Sequence, residues 1–189
     1  MLSRWAGFDT PSATRRLFLR GLGGALAAAA VAPGRVLAGL KEERRLSFVH
    51  THTHERLTVP YFADGAYLGG ALSRLERFLR DHRTGQQHPI DPALFDLLHE
   101  LRRATSPKSP FQVISCYRSP ATNALLRSSG GGGVASSSLH LQGRAIDVRV
   151  ANVSTTVLRD AARELGRGGV GYYRDPDFVH VDTGRVRTW

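Results

Sequence analysis

The chain has one cysteine, Cys116, among its 189 residues. An intramolecular disulfide needs two cysteines, so no disulfide framework holds this fold together. Its stability must come from an apolar core, with a bound metal as the other available cross-link.

The sequence also lacks an apolar run long enough to span a bilayer. The run Gly21–Ala32 has twelve residues, whereas a spanning helix needs about 20. It follows the pair Arg15-Arg16 and precedes Val36-Leu37-Ala38, a small-residue pattern typical of signal-peptidase sites. Residues 1–38 are therefore predicted to be a twin-arginine export signal, recognised by the twin-arginine export machinery and cleaved near Ala38. An uncleaved membrane anchor and a basic amphipathic helix remain open as alternatives.

Acidic residues are scarce, with 16 Asp and Glu against 26 Lys and Arg, so the formal net charge is +10. The arginines are scattered, and neither a run of five or six like charges nor an interleaved aromatic ladder accompanies them. This pattern argues against nucleic acid as a partner. A basic exported protein is better suited to the anionic polymers of a cell envelope.

Hydrophobic periodicity after residue 38 predicts helices first and hairpin-like strands later, which indicates a single α+β domain. We expect helices packed on a mostly antiparallel sheet, with a glycine- and serine-rich connection over residues 128–138. The predicted strands are 46–59 (an edge strand), 111–115, 144–150, 169–173 and 178–183. The predicted helices are 66–83, one beginning at Asp91-Pro92, 119–127 and 154–165, the last capped by Gly166.

Strand parity indicates where polar side chains could meet. In the strand 144–150, Asp147 lies on the face opposite Ile146 and Val148, and in the strand 178–183, His180 shares a face with Asp182. If the two strands are near neighbours, His140, Asp147 and His180 can converge on a metal, because a catalytic zinc site needs three protein ligands. Parity alone leaves open a hydrogen-bonded sheet histidine beside a salt-bridged aspartate.

Three segments of the sequence resemble a known family. Residues 138–147 read SLHLQGRAID and match the pattern S-x-H-x-x-G-x-A-x-D. Residues 115–120 read SCYRSP, and residues 168–184 contain GGVGYY followed by FVHVDTG. Together with DHRTG at residues 81–85, these segments resemble the zinc D-Ala-D-Ala carboxypeptidase and endopeptidase family, especially its endopeptidase branch. The resemblance runs from about residue 46 to the C-terminus.

The resemblance implies that His140, Asp147 and His180 bind one zinc ion per chain. It places Arg118 beside the substrate, where a planar guanidinium suits a carboxylate or a carbonyl oxygen that gains charge. Ser138 would help to position the loop or the substrate. The implied protein is a periplasmic zinc peptidase, with residues 39–189 as its domain, that hydrolyses the peptide cross-links of peptidoglycan. Its partners would then be peptidoglycan peptide stems.

The general base has two candidates. The broader family often has an acidic residue three positions before the last histidine, where this chain has Asp177. The endopeptidase branch instead keeps a carboxylate two residues after that histidine, here Asp182. Parity favours Asp182, because it faces the same side as His180, and the other carboxylate is then expected to orient a ligand.

Cys116 occupies a position where the family usually has glycine, and its side chain is expected to shift Arg118 or narrow the pocket. A cysteine transpeptidase acting on the same polymer is a weaker alternative, because the S-H-G-C arrangement of such enzymes is absent. A non-catalytic wall-binding module that retains the zinc fold is a further alternative.

The segment VHTHTHE places His50, His52 and His54 at alternate positions. On a strand all three would share one face, which resembles a metal site. The segment has no carboxylate of known geometry beside it, so solvated strand histidines are the preferred interpretation.

Overall fold

The computed structural model describes residues 42–129 and 135–189. The predicted export signal, residues 1–38, lies outside these ranges, as does the centre of the glycine- and serine-rich connection. No helix within the two ranges is both long and apolar enough to cross a membrane.

The described residues form one eight-stranded sheet with the strand order β3-β2-β1-β4-β5-β7-β6-β8. Adjacent strands are antiparallel, apart from the parallel pairs β1–β4 and β6–β8. This confirms the predicted α+β fold with a mostly antiparallel sheet. The strands are β1 (Arg44–His50), β2 (Arg56–Ala63), β3 (Ala66–Tyr67), β4 (Phe111–Ser115), β5 (Ala145–Val150), β6 (Gly169–Tyr173), β7 (Phe178–Asp182) and β8 (Arg187–Thr188).

The prediction of one edge strand over residues 46–59 is wrong. The segment forms the hairpin β1–β2, and β1 lies inside the sheet because it also pairs with β4. Residues 51–54 form the turn, in which the His54 backbone adopts φ of +59°. That conformation is uncommon outside glycine. Because residues 51–54 include neither glycine nor proline, the sequence contains no signal for a turn there.

Four helices were predicted close to their observed positions: α1 (Gly69–Phe78), α2 (Pro92–Thr105), α3 (Pro120–Ser128) and α4 (Thr155–Leu165). The side chain of Asp91 caps α2 by accepting a hydrogen bond from Ala93 N at 3.0 Å. Gly166 ends α4 in the left-handed conformation. The first helix begins later than predicted, because Ala66–Tyr67 pairs with β2 as a strand, and it ends earlier, at Phe78.

The two faces of the sheet differ in chemistry. Ile146 and Val148 on β5, with Val179 and Val181 on β7, are fully buried in the apolar core. Helix α4 packs against β5, β6 and β7 and also against α2. The opposite face carries the polar residues of these strands, as strand parity predicts.

Candidate metal centre

Three elements bring the predicted ligands together. Asp147 on β5 lies directly opposite His180 on the neighbouring antiparallel strand β7. His140 belongs to a short 3₁₀ helix, Leu139–Gln142, that precedes β5. All three side chains are buried, and their ligand atoms lie within 4.8 Å of one another.

The distances between these atoms fit a small tetrahedral ion. Oδ1 of Asp147 lies 2.9 Å from Nδ1 of His180 and 3.3 Å from Nε2 of His140. The two ring nitrogens are 3.2 Å apart. A zinc ion with ligands at about 2.0–2.1 Å separates neighbouring ligand atoms by roughly 3.3–3.4 Å in a tetrahedron. Two of the three distances are close to this spacing, and the distance between Asp147 and His180 is shorter.

The outer ring nitrogens of both histidines have their own partners. Nδ1 of His140 donates to the backbone oxygen of Cys116 at 2.6 Å. Nε2 of His180 lies 3.1 Å from Oδ2 of Asp182 and donates to it. With both outer nitrogens protonated, lone pairs face inward beside the Asp147 carboxylate. Three acceptors that face one another require a proton or a metal cation between them.

The electrostatics of the cluster agree with this requirement. Burial raises the pKa of the Asp147 carboxyl, but the adjacent His140 and His180 outweigh that effect and hold the pKa below its usual range. Burial lowers the pKa of His180, whereas hydrogen bonds to Asp147 and Asp182 raise it to about 9. Burial lowers the pKa of His140. The raised pKa of His180 reflects the two carboxylates beside it, and the same surroundings favour a metal cation.

Asp182 lies behind His180. Its side chain is fully buried and accepts hydrogen bonds from Gly169 N at 2.9 Å and Gly184 N at 2.8 Å. Nη2 of Arg187 forms an ion pair with Oδ2 at 2.7 Å. Burial raises the pKa of Asp182, but the hydrogen bonds from His180 and Arg187 outweigh burial and hold the pKa below its usual range. Asp182 is thus an ionised carboxylate that contacts His180 from outside the cluster.

The side chain of Asp177 contacts α4 and β5 rather than the candidate metal ligands. It lies in the turn before β7 with a positive φ of +53°. Its side chain is 60% exposed, accepts a hydrogen bond from Thr155 Oγ1 at 2.8 Å and lies 4.0 Å from Arg149. Strand parity could not predict the direction of the Asp177 side chain, because Asp177 precedes the strand and its backbone is not extended.

Arg118 approaches the cluster from the loop between β4 and α3. Nη2 of Arg118 lies 3.5 Å from Oδ2 of Asp147, and the side chain is only 10% exposed. Its Nε is buried and has no hydrogen-bond partner among the described residues. The buried Asp81 supports the loop by accepting a hydrogen bond from Ser119 N at 2.8 Å. Apart from the contact with Asp147, the guanidinium makes no hydrogen bond among the described residues, so its terminal nitrogens have donor capacity left for a ligand.

Two other residues of the motif, Ser138 and Gly143, shape the loop that carries His140. Ser138 Oγ accepts a hydrogen bond from His140 N at 3.4 Å and caps the 3₁₀ helix. Gly143 ends the helix with φ of +64°, and a Cβ there would come within 2.2 Å of Pro89 O. Glycine is thus required both for the turn and for close contact with the neighbouring backbone.

Cys116 does not enter the cavity next to the ligands. Its side chain is 2% exposed and belongs to the apolar core. Burial raises the pKa of the thiol, and the charge of Asp147 raises it further. A thiolate is therefore disfavoured, and the group that contacts His140 is the backbone oxygen, which any residue would supply.

The other histidines of interest lie outside this cluster. His50 ends β1 and is buried, while His52 and His54 are exposed in the turn, so the three do not share a strand face. His52 instead stacks on His82, with ring centroids 4.1 Å apart and planes at 8°. Among the described residues, the group of His, Cys, Asp and Glu side chains with metal-binding geometry is His140, Asp147 and His180.

A cavity of about 190 Å³ opens at the candidate metal centre. Neither Asp182 nor Asp177 lines it. Sequence analysis assigned roles to five of its residues, Arg118, Ser138, His140, Asp147 and His180, and missed the other seven, among them Tyr173, Arg187 and Trp189. The lining residues are Arg118, Ala135, Ser137, Ser138, Leu139, His140, Asp147, Tyr173, Phe178, His180, Arg187 and Trp189.

Residues 39–189 match the family model described as peptidoglycan L,D-endopeptidase MepK. The protein of that name from Escherichia coli strain K12 is 38% identical over 183 residues, which cover 96% of this chain and all of the relative. A probable MepK from Haemophilus influenzae is 38% identical over 171 residues, covering 89% of this chain and 91% of the relative. The crystal structure of the Serratia marcescens L-Ala D-Glu endopeptidase ChiX is 23% identical, with a TM-score of 0.38, over 60% of this chain and 86% of that chain.

Proposed function

Because the chain belongs to the peptidoglycan L,D-endopeptidase MepK family, we propose that it is a zinc-dependent endopeptidase that hydrolyses peptide cross-links of peptidoglycan. The observation that supports the zinc requirement is the convergence of three buried ligand atoms. Two of them are ring nitrogens whose lone pairs face inward, because the outer nitrogen of each histidine donates a hydrogen bond.

In this proposal His140, Asp147 and His180 hold one zinc ion through Nε2, a carboxylate oxygen and Nδ1. When bound, zinc would lower the pKa of a water molecule to about 7 and polarise the carbonyl group of the scissile amide. The backbone oxygen of Cys116 and the carboxylate of Asp182 fix the two imidazole rings, so that the nitrogens facing inward carry lone pairs.

Arg118 is the proposed substrate-binding and charge-stabilising residue. It lines the cavity, and its guanidinium lies beside Asp147 with no other hydrogen bond among the described residues. A substrate carboxylate or the amide oxygen of the scissile bond can accept a hydrogen bond from it, with a short, charge-assisted geometry. Ser138 lines the same cavity and shapes the loop of His140.

We assign Asp182 the task of orienting His180, because both of its oxygens are occupied and it does not line the cavity. Asp177 is assigned no contact with substrate, since its side chain bonds Thr155 at the surface. Hydrolysis of the amide adds water across the C–N bond, so that the products are a carboxylate and an amine.

We propose that the enzyme works in the periplasm after the export signal is removed. The twin arginines before a short apolar run and the signal-peptidase pattern ending at Ala38 support this location. The family model begins to match at residue 39, next to the predicted cleavage site.

The test is hydrolysis of purified cross-linked muropeptides, followed by mass spectrometry of the products, with and without a chelator. We expect cleavage that chelation abolishes and zinc restores, and that His180→Ala lacks. His54→Asn is the matched control, because it removes an exposed imidazole at a positive φ that asparagine tolerates. A folded, zinc-loaded protein that cleaves nothing would indicate a wall-binding module instead. Cleavage that survives both chelation and His180→Ala would overturn the zinc assignment.

A further inference from the structure

The C-terminal residue, Trp189, lies at the candidate metal centre although no sequence motif pointed to it. Its ring centroid is 5.1 Å from that of His180, and its side chain lines the cavity. The residue is nevertheless 51% exposed. A large aromatic side chain that is fixed in place and left half exposed beside a reactive site is suited to contact a ligand.

Several independent contacts fix the position of Trp189. Its backbone N donates to Val170 O at 3.2 Å, and its backbone O accepts from Tyr172 N at 3.0 Å. The indole Nε1 donates to the hydroxyl oxygen of Tyr173 at 3.0 Å. The Arg187 guanidinium lies 4.8 Å from the ring centroid. The side chain is thus held from its backbone, its polar edge and its ring face.

Gly171 provides the space in which the indole sits. A Cβ at Gly171 would come within 2.6 Å of the Trp189 ring. Gly171 also pairs with His180 across β6 and β7, so the indole occupies the position of a side chain that would otherwise stand beside the imidazole. The glycine of the GGVGYY segment therefore makes room for Trp189 next to the candidate metal ligand.

Aromatic and cationic groups share the cavity with Trp189. Tyr173 and Phe178 stack at 4.6 Å between ring centroids, and both line the cavity, as does Arg118. Aromatic surface suits aliphatic methylene groups, while an arginine suits a carboxylate. The combination fits a peptide residue that has a long aliphatic side chain and a nearby carboxylate, as the diamino acids of peptide stems do.

We infer that Trp189 is a specificity-determining residue that contacts the aliphatic side chain of a peptide-stem residue beside the scissile bond. This inference rests on the proposed function and deepens it by naming the surface that recognises the stem. The segment Arg187–Trp189 thus has two roles, since Trp189 contacts the substrate and Arg187 forms an ion pair with Asp182.

Tryptophan fluorescence gives a direct test. The chain has two tryptophans, Trp5 and Trp189, so Trp5→Phe in the full chain leaves Trp189 as the single reporter. The probe is an uncross-linked disaccharide tripeptide that ends in diaminopimelate, and the same disaccharide without a peptide is the control. We expect a saturable change in emission with the tripeptide and no change with the control. Saturable tripeptide binding, measured by calorimetry, that leaves the emission unchanged would overturn the inference.

Kinetics on cross-linked muropeptides provide the second readout. Trp189→Ala should raise KM about tenfold or more, the loss expected for one buried aromatic contact, while kcat and zinc content stay near those of the unmodified protein. Trp189→Phe retains the ring and should fall in between. An unchanged KM in Trp189→Ala would refute the inference. The proposed function would still stand in that case, provided that the unmodified protein cleaves the muropeptides. If Trp189→Ala does not fold, the fluorescence titration decides. Absence of cleavage by the unmodified, zinc-loaded protein would refute the proposed function instead.

Discussion

Nε2 of His180 lies 3.1 Å from Oδ2 of Asp182, two residues further along the same strand. Because this hydrogen bond occupies Nε2, Nδ1 is the nitrogen that faces Asp147 and His140. Nη2 of Arg187 contacts the same carboxylate oxygen at 2.7 Å. Contacts of Arg187 and His180 with Asp182 thus connect strand β8 to the candidate metal centre.

The first prediction concerns Asp182→Asn. The substitution keeps the shape of the side chain but removes the charge that orients His180 and neutralises Arg187. We expect zinc affinity to fall about 10- to 100-fold, the usual effect of losing a partner that orients a metal-ligating histidine. Competition with a chromophoric chelator measures this change without relying on activity.

Asp177→Asn is the matched control for Asp182→Asn, since it removes a nearby carboxylate with surface contacts. Its zinc affinity and its rate of muropeptide hydrolysis should stay close to those of the unmodified protein. Loss of hydrolysis in Asp177→Asn, with normal zinc binding in both variants, would instead identify Asp177 as the general base.

The second prediction is that zinc stabilises the folded protein. Binding that is specific to the folded state adds about 4 kcal/mol to the free energy of unfolding when free zinc is 1,000 times its Kd. We expect a chelator to lower Tm and zinc to restore it. Thermal unfolding of His180→Ala should show no response to either reagent, whereas His54→Asn should respond normally. Equal zinc responses in both variants would mean that the stabilising ion binds elsewhere.

The third prediction is that Arg118→Lys lowers kcat/KM about 100-fold, in the range seen when a donor to a developing oxyanion is lost. Lysine keeps the positive charge but cannot reproduce the fixed donor geometry of the guanidinium. Zinc content should be unchanged, because Arg118 contacts Asp147 only at 3.5 Å. Wild-type kinetics in this variant would show that a point charge is sufficient.

The convergence of two candidate metal ligands was predictable because the repeat of a strand is two residues. Parity placed Asp147 and His180 on the polar faces of their strands, and the motif resemblance singled out His140. The observed register pairs Asp147 directly with His180. Parity could not show which nitrogen of His180 faces inward, since that depends on Asp182 and on its partner Arg187 from another strand.

The C-terminal tail was not predictable from local patterns. Strand β8 has two residues and pairs in parallel with β6, so it has too few residues to show a periodicity. The role of Gly171 is equally hidden, because the indole that excludes a Cβ there lies 18 positions away. The position of β8 and the need for glycine at position 171 both depend on contacts between segments that are distant in the sequence.

The fourth prediction concerns Cys116→Ala. The thiol is buried in the apolar core, and its contribution to the cluster is made by the backbone oxygen. Hydrolysis should therefore be nearly unchanged, while the smaller side chain should lower the free energy of unfolding by about 1 kcal/mol. A thiol reagent should not inhibit the folded, unmodified enzyme. Rapid inactivation by the reagent, abolished in Cys116→Ala, would support the transpeptidase alternative.

The last prediction concerns His50, whose Nδ1 accepts hydrogen bonds from His52 N at 3.2 Å and Thr53 N at 3.4 Å in the hairpin turn. Burial, with the charge of His52 as the next cause, lowers the pKa of His50 to about 4 from 6.5. The unfolded chain therefore takes up a proton at higher pH than the folded protein does. The stability that neutral His50 contributes is complete above pH 6.5 and is lost as the pH falls from 6.5 toward 4.

His50→Asn tests this dependence, because an asparagine oxygen can accept the same turn hydrogen bonds without titrating. We expect the free energy of unfolding of the unmodified protein, relative to that of the variant, to fall by about 2–3 kcal/mol between pH 7 and pH 4. Denaturant titrations at several pH values measure the difference, and His54→Asn, at an exposed position of the same turn, controls for the loss of an imidazole. Parallel pH profiles for the unmodified protein and His50→Asn would show that His50 does not cause the acid sensitivity.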